Sequence, residues 1–213
     1  MPPRDCKGFM MKSYPSIDTK FERTKVVAFD KLDGSNIRAE WSSKKGFYKF
    51  GSRNQLIDRN QPILGKAVDL IVENYQEQLG SIFSTKKWER VVAFFEFYGE
   101  CSFAGSHDEN DEHKVTLIDV NVYKRGMIEP LHFIELFEEV GIPKVLYKGV
   151  LDERIVTEVK NGTLEGMTFE GVVCKYHNPK NKIVKMFKIK NRSWIERLKI
   201  KCDGNDALFR RLV

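Results

Sequence analysis

The sequence predicts an α+β fold in which antiparallel β-sheets are flanked by helices. Three observations carry this. Short alternating runs rich in Val, Ile, Phe and Tyr recur along the chain, as strands require. Two longer segments carry their apolar residues at helical spacing instead. The two kinds of segment do not alternate regularly, which argues against a parallel βαβ sheet.

The strand patterns cover Lys25–Leu32, Ser35–Ser42, Gly46–Ser52, Arg90–Tyr98, Lys114–Tyr123, Glu170–Tyr176 and Ile183–Lys190. The first helix, Ile63–Ile82, spaces Leu64, Ala67, Val68, Ile71, Val72, Tyr75 and Leu79 along one face, with Pro62 near its start. The second, Leu131–Val140, is closed by Gly141 and Pro143. Leu151–Val159 reads as a third helix. Ser193–Ile200 reads as a fourth, with Ser193 as N-cap and Glu196 three residues on. Gly105–Lys114 is a polar, acidic loop. His107 and His113 lie there among Asp108, Glu109, Asp111 and Glu112, but the spacing is irregular, so a flexible loop is favoured over a metal site. Trp41, Trp88 and Trp194 are read as packing residues.

With 213 residues, 41% of them hydrophobic, the chain can bury a sizeable core. No apolar run has the length of a membrane span, and the N-terminus lacks the apolar stretch of a secretory signal. Cys6, Cys101, Cys174 and Cys202 form no C-x-x-C pair, so reduced thiols in a cytoplasmic setting are expected. The net charge of +6 is uneven. From Lys175 onward, eight Lys and four Arg face one Glu and two Asp, a net +9 that leaves −3 for the rest. That asymmetry suits a polyanionic partner, or a solvated surface equally well.

The first segment that carries chemistry is Val26-Val-Ala-Phe-Asp-Lys-Leu-Asp-Gly-Ser-Asn36. An apolar strand ends and Lys31, Asp33, Gly34 and Asn36 follow at once. A lysine held at the end of a buried strand is partly desolvated, which favours the neutral amine that nucleophilic attack needs. Taken alone, an exposed lysine in an Asp-Gly hairpin turn explains the segment as well. Further charges follow downstream in apolar strands. Arg53 ends Gly51-Ser-Arg53, and Glu96 sits inside Phe94-Phe-Glu-Phe-Tyr-Gly99. Glu170 and Lys175 bracket Gly-Val-Val-Cys. Lys188 and Lys190 share one strand face in Met186-Phe-Lys-Ile-Lys190. Buried charges are costly unless paired or bound to a ligand. Together these groups suggest one polar cavity suited to a metal–triphosphate complex.

In order and type, these segments resemble the motifs of the covalent nucleotidyltransferase superfamily, which comprises polynucleotide ligases and mRNA capping enzymes. KLDG resembles motif I, SR motif Ia, FEFYG motif III, EGVVCK motif IV and FKIK motif V, over residues 31–190. The resemblance implies an ATP-grasp-like nucleotidyltransferase domain of the ligase type over residues 1–190, with residues 191–213 as a short basic tail. It implies that Lys31 attacks the α-phosphorus of a nucleoside triphosphate and forms a phosphoramidate. Asp30 would lie at the base, and Asp33 would support the lysine loop. Arg53 would contact ribose or phosphate, Glu96 the ribose hydroxyls, and Glu170 a metal. Lys188 and Lys190 would hold the α-phosphate, while Lys175 closes motif IV with a less defined role. The implied cofactors are ATP and Mg²⁺, with Mn²⁺ as a substitute.

Asn36 makes the first motif K-x-D-G-x-N, which resembles ATP-dependent RNA ligases of the phage RNA-repair type. Such an enzyme joins RNA 5′-phosphate to 3′-hydroxyl ends through a lysyl-AMP intermediate, in the cytoplasm, which for a phage-encoded enzyme is that of the host. A DNA ligase, a capping guanylyltransferase and a non-catalytic RNA-binding relative remain open. Two departures stand out. The run Val115-Thr-Leu-Ile-Asp-Val120, where the superfamily stacks an aromatic on the base, has none, leaving Val115 or Leu117 to sandwich it. Only 23 residues follow Lys190, too few for the C-terminal domain of most relatives, so the chain reads either as a minimal enzyme or as a piece of a larger one. The tail's Arg192, Arg197, Lys199, Lys201, Arg210 and Arg211 would then dock phosphates or simply close the domain.

Overall fold

A computed structural model describes residues 11–178 and 183–213. In chain order the elements are β1 (Lys25–Asp30), β2 (Ser35–Ser42), β3 (Gly46–Ser52), β4 (Leu56–Ile57), α1 (Gly65–Thr85), β5 (Arg90–Tyr98), β6 (Lys114–Val122), β7 (Gly126–Met127) and α2 (Pro130–Phe137). After a 3₁₀ turn at Glu138–Val140 come β8 (Val145–Val150), α3 (Glu153–Asn161), β9 (Gly171–Asn178), β10 (Ile183–Lys190), α4 (Arg192–Cys202) and α5 (Asp206–Leu212). All strand pairs within the two sheets are antiparallel, and the α+β expectation holds.

The chain divides into two units. Among the described residues, the first comprises 11–15, 34–102 and 106–142. Its sheet runs β4-β3-β2-β5-β6-β7. Period-two alternation sends Ile37, Ala39 and Trp41 of β2 and Ala93, Phe95 and Phe97 of β5 to one face. The buried stripe of α1, Val68, Ile71, Tyr75, Leu79 and Phe83, covers that face, with Tyr75 edge-on to Phe95 and Phe83 edge-on to Trp41. The opposite face carries Asn36, Arg38 and Glu40 on β2 and Phe94 and Glu96 on β5.

The second unit comprises, among the described residues, 16–33, 103–105, 143–178 and 183–213. Its sheet runs β10-β9-β1-β8. Val26, Ala28, Val172, Cys174, Phe187 and Ile189 form one apolar face, closed by Ile155, Val156 and Val159 of α3. That helix is capped by Asp152, whose carboxylate accepts from the Ile155 N–H at 3.0 Å, and it stops at left-handed Gly162. The other sheet face carries Phe29, Val173, Lys175, Lys188 and, just past the strands, Lys31.

Several expected boundaries shift for identifiable reasons. Ile63 has φ +60, so α1 begins at Gly65 rather than at residue 63. The cap of α4 is Asn191, not Ser193: the Asn191 side chain accepts from the Ser193 N–H at 2.7 Å, and the helix opens at Arg192. β8 is an edge strand with half-exposed residues and therefore shows no clean alternation. α5 has only seven residues, too short for a periodic signal. Cys101, Cys174 and Cys202 are free thiols, while Cys6 lies outside the described residues. No helix among the described residues is long and apolar enough to cross a membrane.

Candidate active site

In the second unit the end of β1 turns so that Lys31 follows Asp30 out of the sheet, its N–H held by the Gly171 carbonyl at 2.9 Å. The amine donates to Glu170 Oε2 at 2.8 Å, and the two side chains are 18% and 5% exposed. The other oxygen, Oε1, pairs with Lys190 at 2.8 Å. One buried carboxylate thus bridges two amines. Lys31 is not a solvent-exposed lysine of a hairpin turn.

The strand register explains how four lysines converge. Phe29 of β1 sits opposite Val173, which sits opposite Lys188; Val27 sits opposite Lys175, which sits opposite Met186. Lys175, Lys188 and Lys190 therefore share the face on which Lys31 emerges. Lys175 is buried with its amine 4.6 Å from the Phe29 ring centroid. Lys190 lies 3.5 Å from the centroid of Trp194. Burial pulls Lys190 down from its ordinary 10.5 to about 8, with Lys31 and Lys188 adding to the effect and Glu170 opposing it. Lys188 donates to the Val213 carbonyl at 2.6 Å, and Lys190 reaches the Leu212 carbonyl at 3.4 Å. The C-terminal end of α5 therefore engages Lys188 and Lys190 on this face.

Asp33 accepts from the Ala104 N–H at 2.7 Å and from the Trp194 indole N–H at 2.6 Å. These bonds tie the segment after Lys31 to Ala104 and α4, and burial and the nearby Glu170 push the Asp33 carboxyl up. Trp194 does more than the packing expected of it. It ties the lysine loop to β10, since the same indole meets both Asp33 and Lys190. Asp30 points to the opposite sheet face. Its carboxylate accepts from the Thr168 N–H at 3.0 Å and hydroxyl at 3.2 Å, and burial raises its carboxyl. A glycine in motif IV is obligatory: Gly171 has φ +134, and a Cβ there would meet the Ile189 carbonyl oxygen at 2.1 Å.

In the first unit, Asn36 lies opposite Glu96, which lies opposite Thr116, a polar row across three strands. Gly34 precedes this row because a Cβ there would fall 2.2 Å from the Phe97 carbonyl oxygen. Both ends of the Asn36 amide are buried without a partner among the described residues. Such a group costs about 1–3 kcal/mol and calls for a polar partner, which a nucleotide can supply. Arg53 is exposed just beyond β3, and its charge, like that of Glu96, reaches Tyr14. Tyr14 donates to Asp119 at 2.5 Å, and burial, Asp119 and Glu96 push its hydroxyl up.

The expectation that Val115 or Leu117 sandwiches the base is not met. Both are buried on the helix-covered face, opposite Phe97 and Phe95, and Tyr75 donates to the Val115 carbonyl at 2.9 Å. The residue of β6 that shares the face of Glu96 is Thr116. The acidic loop is not a loose segment either. His107 bonds Ser35 at 2.8 Å and Ser102 at 2.9 Å, and His113 stacks on Phe97 at 4.6 Å. No group of three or more His, Cys, Asp or Glu among the described residues could hold a metal. Both oxygens of Glu170 are engaged by Lys31 and Lys190; a carboxylate of this kind can hold Mg²⁺ together with substrate phosphates once those pairs open.

An antiparallel α+β domain with an amine paired to a carboxylate at a strand end, facing further lysines, is the class of site a covalent nucleotidyltransferase requires. The RNA ligase family model matches residues 24–190, and the chain belongs to that family. Among solved structures it is similar to Naegleria gruberi RNA ligase. A mutant with ATP and Mn shares 14% identity at TM-score 0.54, over 83% of this chain and 52% of that one. The same ligase with PPi shares 15% at TM-score 0.57, over 94% and 64%; an apo mutant gives 15% and 0.56 over the same shares. The chain thus spans about half to two thirds of these proteins. Among proteins of curated function, none matches.

Proposed function

We propose that the chain is an ATP-dependent RNA ligase whose Lys31 captures AMP covalently and passes it to a 5′-phosphate RNA end. The observation that carries this is the Lys31–Glu170–Lys190 bridge on a lysine-bearing sheet face, in a chain of the RNA ligase family. For attack the pair of Lys31 with Glu170 opens and the amine passes its ammonium proton to water. The neutral nitrogen then forms a bond to the α-phosphorus, the bond to pyrophosphate breaks, and the amine gives up a proton. The RNA 5′-phosphate next displaces Lys31 from AMP, and a 3′-hydroxyl attacks the activated end, releasing AMP.

Lys188 and Lys190 offset charge that grows on the α-phosphate, as preorganised cations in a poorly solvated site do. Lys175 adds a third positive charge on the same face. Glu170 would hold Mg²⁺ or Mn²⁺, which supplies charge neutralisation on the triphosphate. Glu96 serves the ribose hydroxyls, Arg53 ribose or phosphate, and the unpartnered Asn36 amide the nucleotide. Asp30 serves the base through its main chain, because its carboxylate is committed to Thr168. We place the reaction in the cytoplasm, in keeping with the three free thiols.

The test is incubation with α-labelled ATP or GTP and Mg²⁺, followed by a denaturing gel. Label from ATP that disappears in Lys31→Ala is the expected result. Label from GTP alone points to capping, and no label, or label that survives Lys31→Ala, refutes the proposal. RNA sealed better than DNA completes the assignment.

A further inference from the structure

Far along the first unit's sheet from Asn36 and Glu96, three turns meet at the other end of β2, β5 and β6. The pairings Ser42↔Arg90 and Val91↔Val122 bring them together, and the Ser43 N–H to Glu89 carbonyl bond at 3.2 Å and the Tyr123 N–H to Arg90 carbonyl bond at 3.1 Å tie them. The residues of these turns, 42–46, 86–90 and 123–126, include Lys44, Lys45, Lys86, Lys87, Arg90, Lys124 and Arg125 against a single acid, Glu89. This basic cluster was hidden in the sequence, because the cations are dispersed over more than 80 positions and only the antiparallel register gathers them.

Two exposed aromatics stand among these charges. Tyr123 is 52% exposed, with the Arg90 guanidinium 5.7 Å and the Lys124 amine 5.6 Å from its ring centroid. Tyr48 is 37% exposed, with Lys45 at 5.1 Å. Beside Tyr123 lies a cavity of about 350 Å³, lined by Lys12, Glu40, Arg90, Asn121, Tyr123 and Lys124 among others. Arg90 is held in place there: its guanidinium pairs with Glu40, which is fully buried and also accepts from Tyr48. An anchored arginine and a rigid tyrosine side by side lose little conformational freedom on binding a ligand.

We propose that this end of the sheet is a binding surface for single-stranded RNA, with the phosphates on the lysines and a base stacked on Tyr123. Cations interleaved with exposed aromatic rings are the chemistry of sequence-tolerant strand binding. A lipid surface would call for exposed large apolar side chains, and the three turns present none beside the tyrosines. The choice of RNA as the polyanion rests on the ligase reading, whereas the geometry of the surface does not.

The test uses the full chain and a fluorescent single-stranded RNA, with affinity measured by anisotropy across a salt series. Changing Lys44, Lys45, Lys124 and Arg125 together to Ala flattens the salt dependence by about 0.7 in log–log slope for each phosphate that is no longer neutralised. Tyr123→Ala weakens binding on the order of tenfold with the salt slope kept, and Tyr123→Phe retains the affinity. All three proteins still take ATP label on Lys31, which verifies their folding. Unchanged affinity and slope in both Ala variants overturns the surface, as does tighter binding to anionic phospholipid vesicles than to RNA through these same lysines. Loss of affinity in Tyr123→Phe equal to that in Tyr123→Ala overturns the stacking. Absence of ATP label in every protein, with RNA binding behaving as described, would refute the ligase reading and leave the surface standing.

Discussion

Replacing Lys190 by methionine should stabilise the protein while disabling it. The Lys190 side chain is 7% exposed, and burial brings its amine from 10.5 to about 8 even with Glu170 beside it. Holding that proton in the fold costs about 3 kcal/mol, at 1.36 kcal/mol for each tenfold shift in proton affinity. Methionine fills a similar volume and keeps a favourable contact with the Trp194 ring. Glu170 then retains only Lys31, which returns part of the cost, so a net gain on the order of 1–2 kcal/mol is expected at pH 7. For a chain of this size that is a rise of about 2–8 °C in Tm. The pH dependence has a definite sign. Between about 8 and 10.5 the unfolded chain holds the Lys190 proton and the folded chain does not, so wild-type stability rises with pH across that window. The advantage of Lys190→Met is therefore complete below pH 8 and fades toward pH 10.5. Thermal unfolding of both proteins at pH 7 and pH 10, with ATP labelling in parallel, measures all of this. A variant less stable than wild type at both values, by the same amount, would refute the idea that Lys190 is a cation held at a cost.

Three other perturbations follow from the same geometry. In a Lys31→Ala background, chosen to block the proposed covalent step, ATP affinity falls as pH rises above about 8, where Lys190 loses its charge, and the fall is displaced upward because the Lys31 charge that lowers Lys190 is gone; adding Lys190→Arg, a cation that does not titrate in this range, flattens the profile in calorimetric titration. Leu208→Asp undocks α5 from its apolar contacts with Trp194 and Leu198 and withdraws the Leu212 and Val213 carbonyls from Lys190 and Lys188. ATP affinity then increases several-fold, on the scale of about 1 kcal/mol or more for a bond to a charged donor; an unchanged or weaker affinity contradicts the reading. Gly34→Ala drives a methyl group against the Phe97 carbonyl and costs at least about 2 kcal/mol, visible as a lowered Tm.

Most of the fold was legible because its strands are apolar-rich runs bounded by polar and turn residues. The limits of β2, β3, β5 and β10 read directly from the residues, although β5 buries Val92 and Phe94 on the face of Glu96 as well as Ala93, Phe95 and Phe97 on the other. β8 and α5 were not legible, since an edge strand that is half exposed and a helix of seven residues leave no period to detect. In the candidate site, Lys31, Glu170, Lys188 and Lys190 stood out as charges inside or beside apolar runs. The bridging role of Glu170 did not, because linear spacing says nothing about which amines one carboxylate will meet. Trp194 was equally opaque: a tryptophan in a helix reads as core until a structure shows its N–H on Asp33 and its ring under Lys190. Arg38 and Glu40 gave a signal that could have been used. They alternate with Ile37, Ala39 and Trp41 in β2, so period two places them together on the opposite face, while their burial there is visible only in the structure.

The central claim is that one amine, held by Glu170 until the pair opens, becomes bonded to a nucleotide. Tandem mass spectrometry of the protein after reaction with ATP and Mg²⁺, digested under conditions that preserve phosphoramidates, tests this most directly. The account predicts an AMP adduct on the peptide containing Lys31 and on no other lysine. An adduct on Lys175, Lys188 or Lys190 in place of Lys31, or no adduct on any residue, would contradict it.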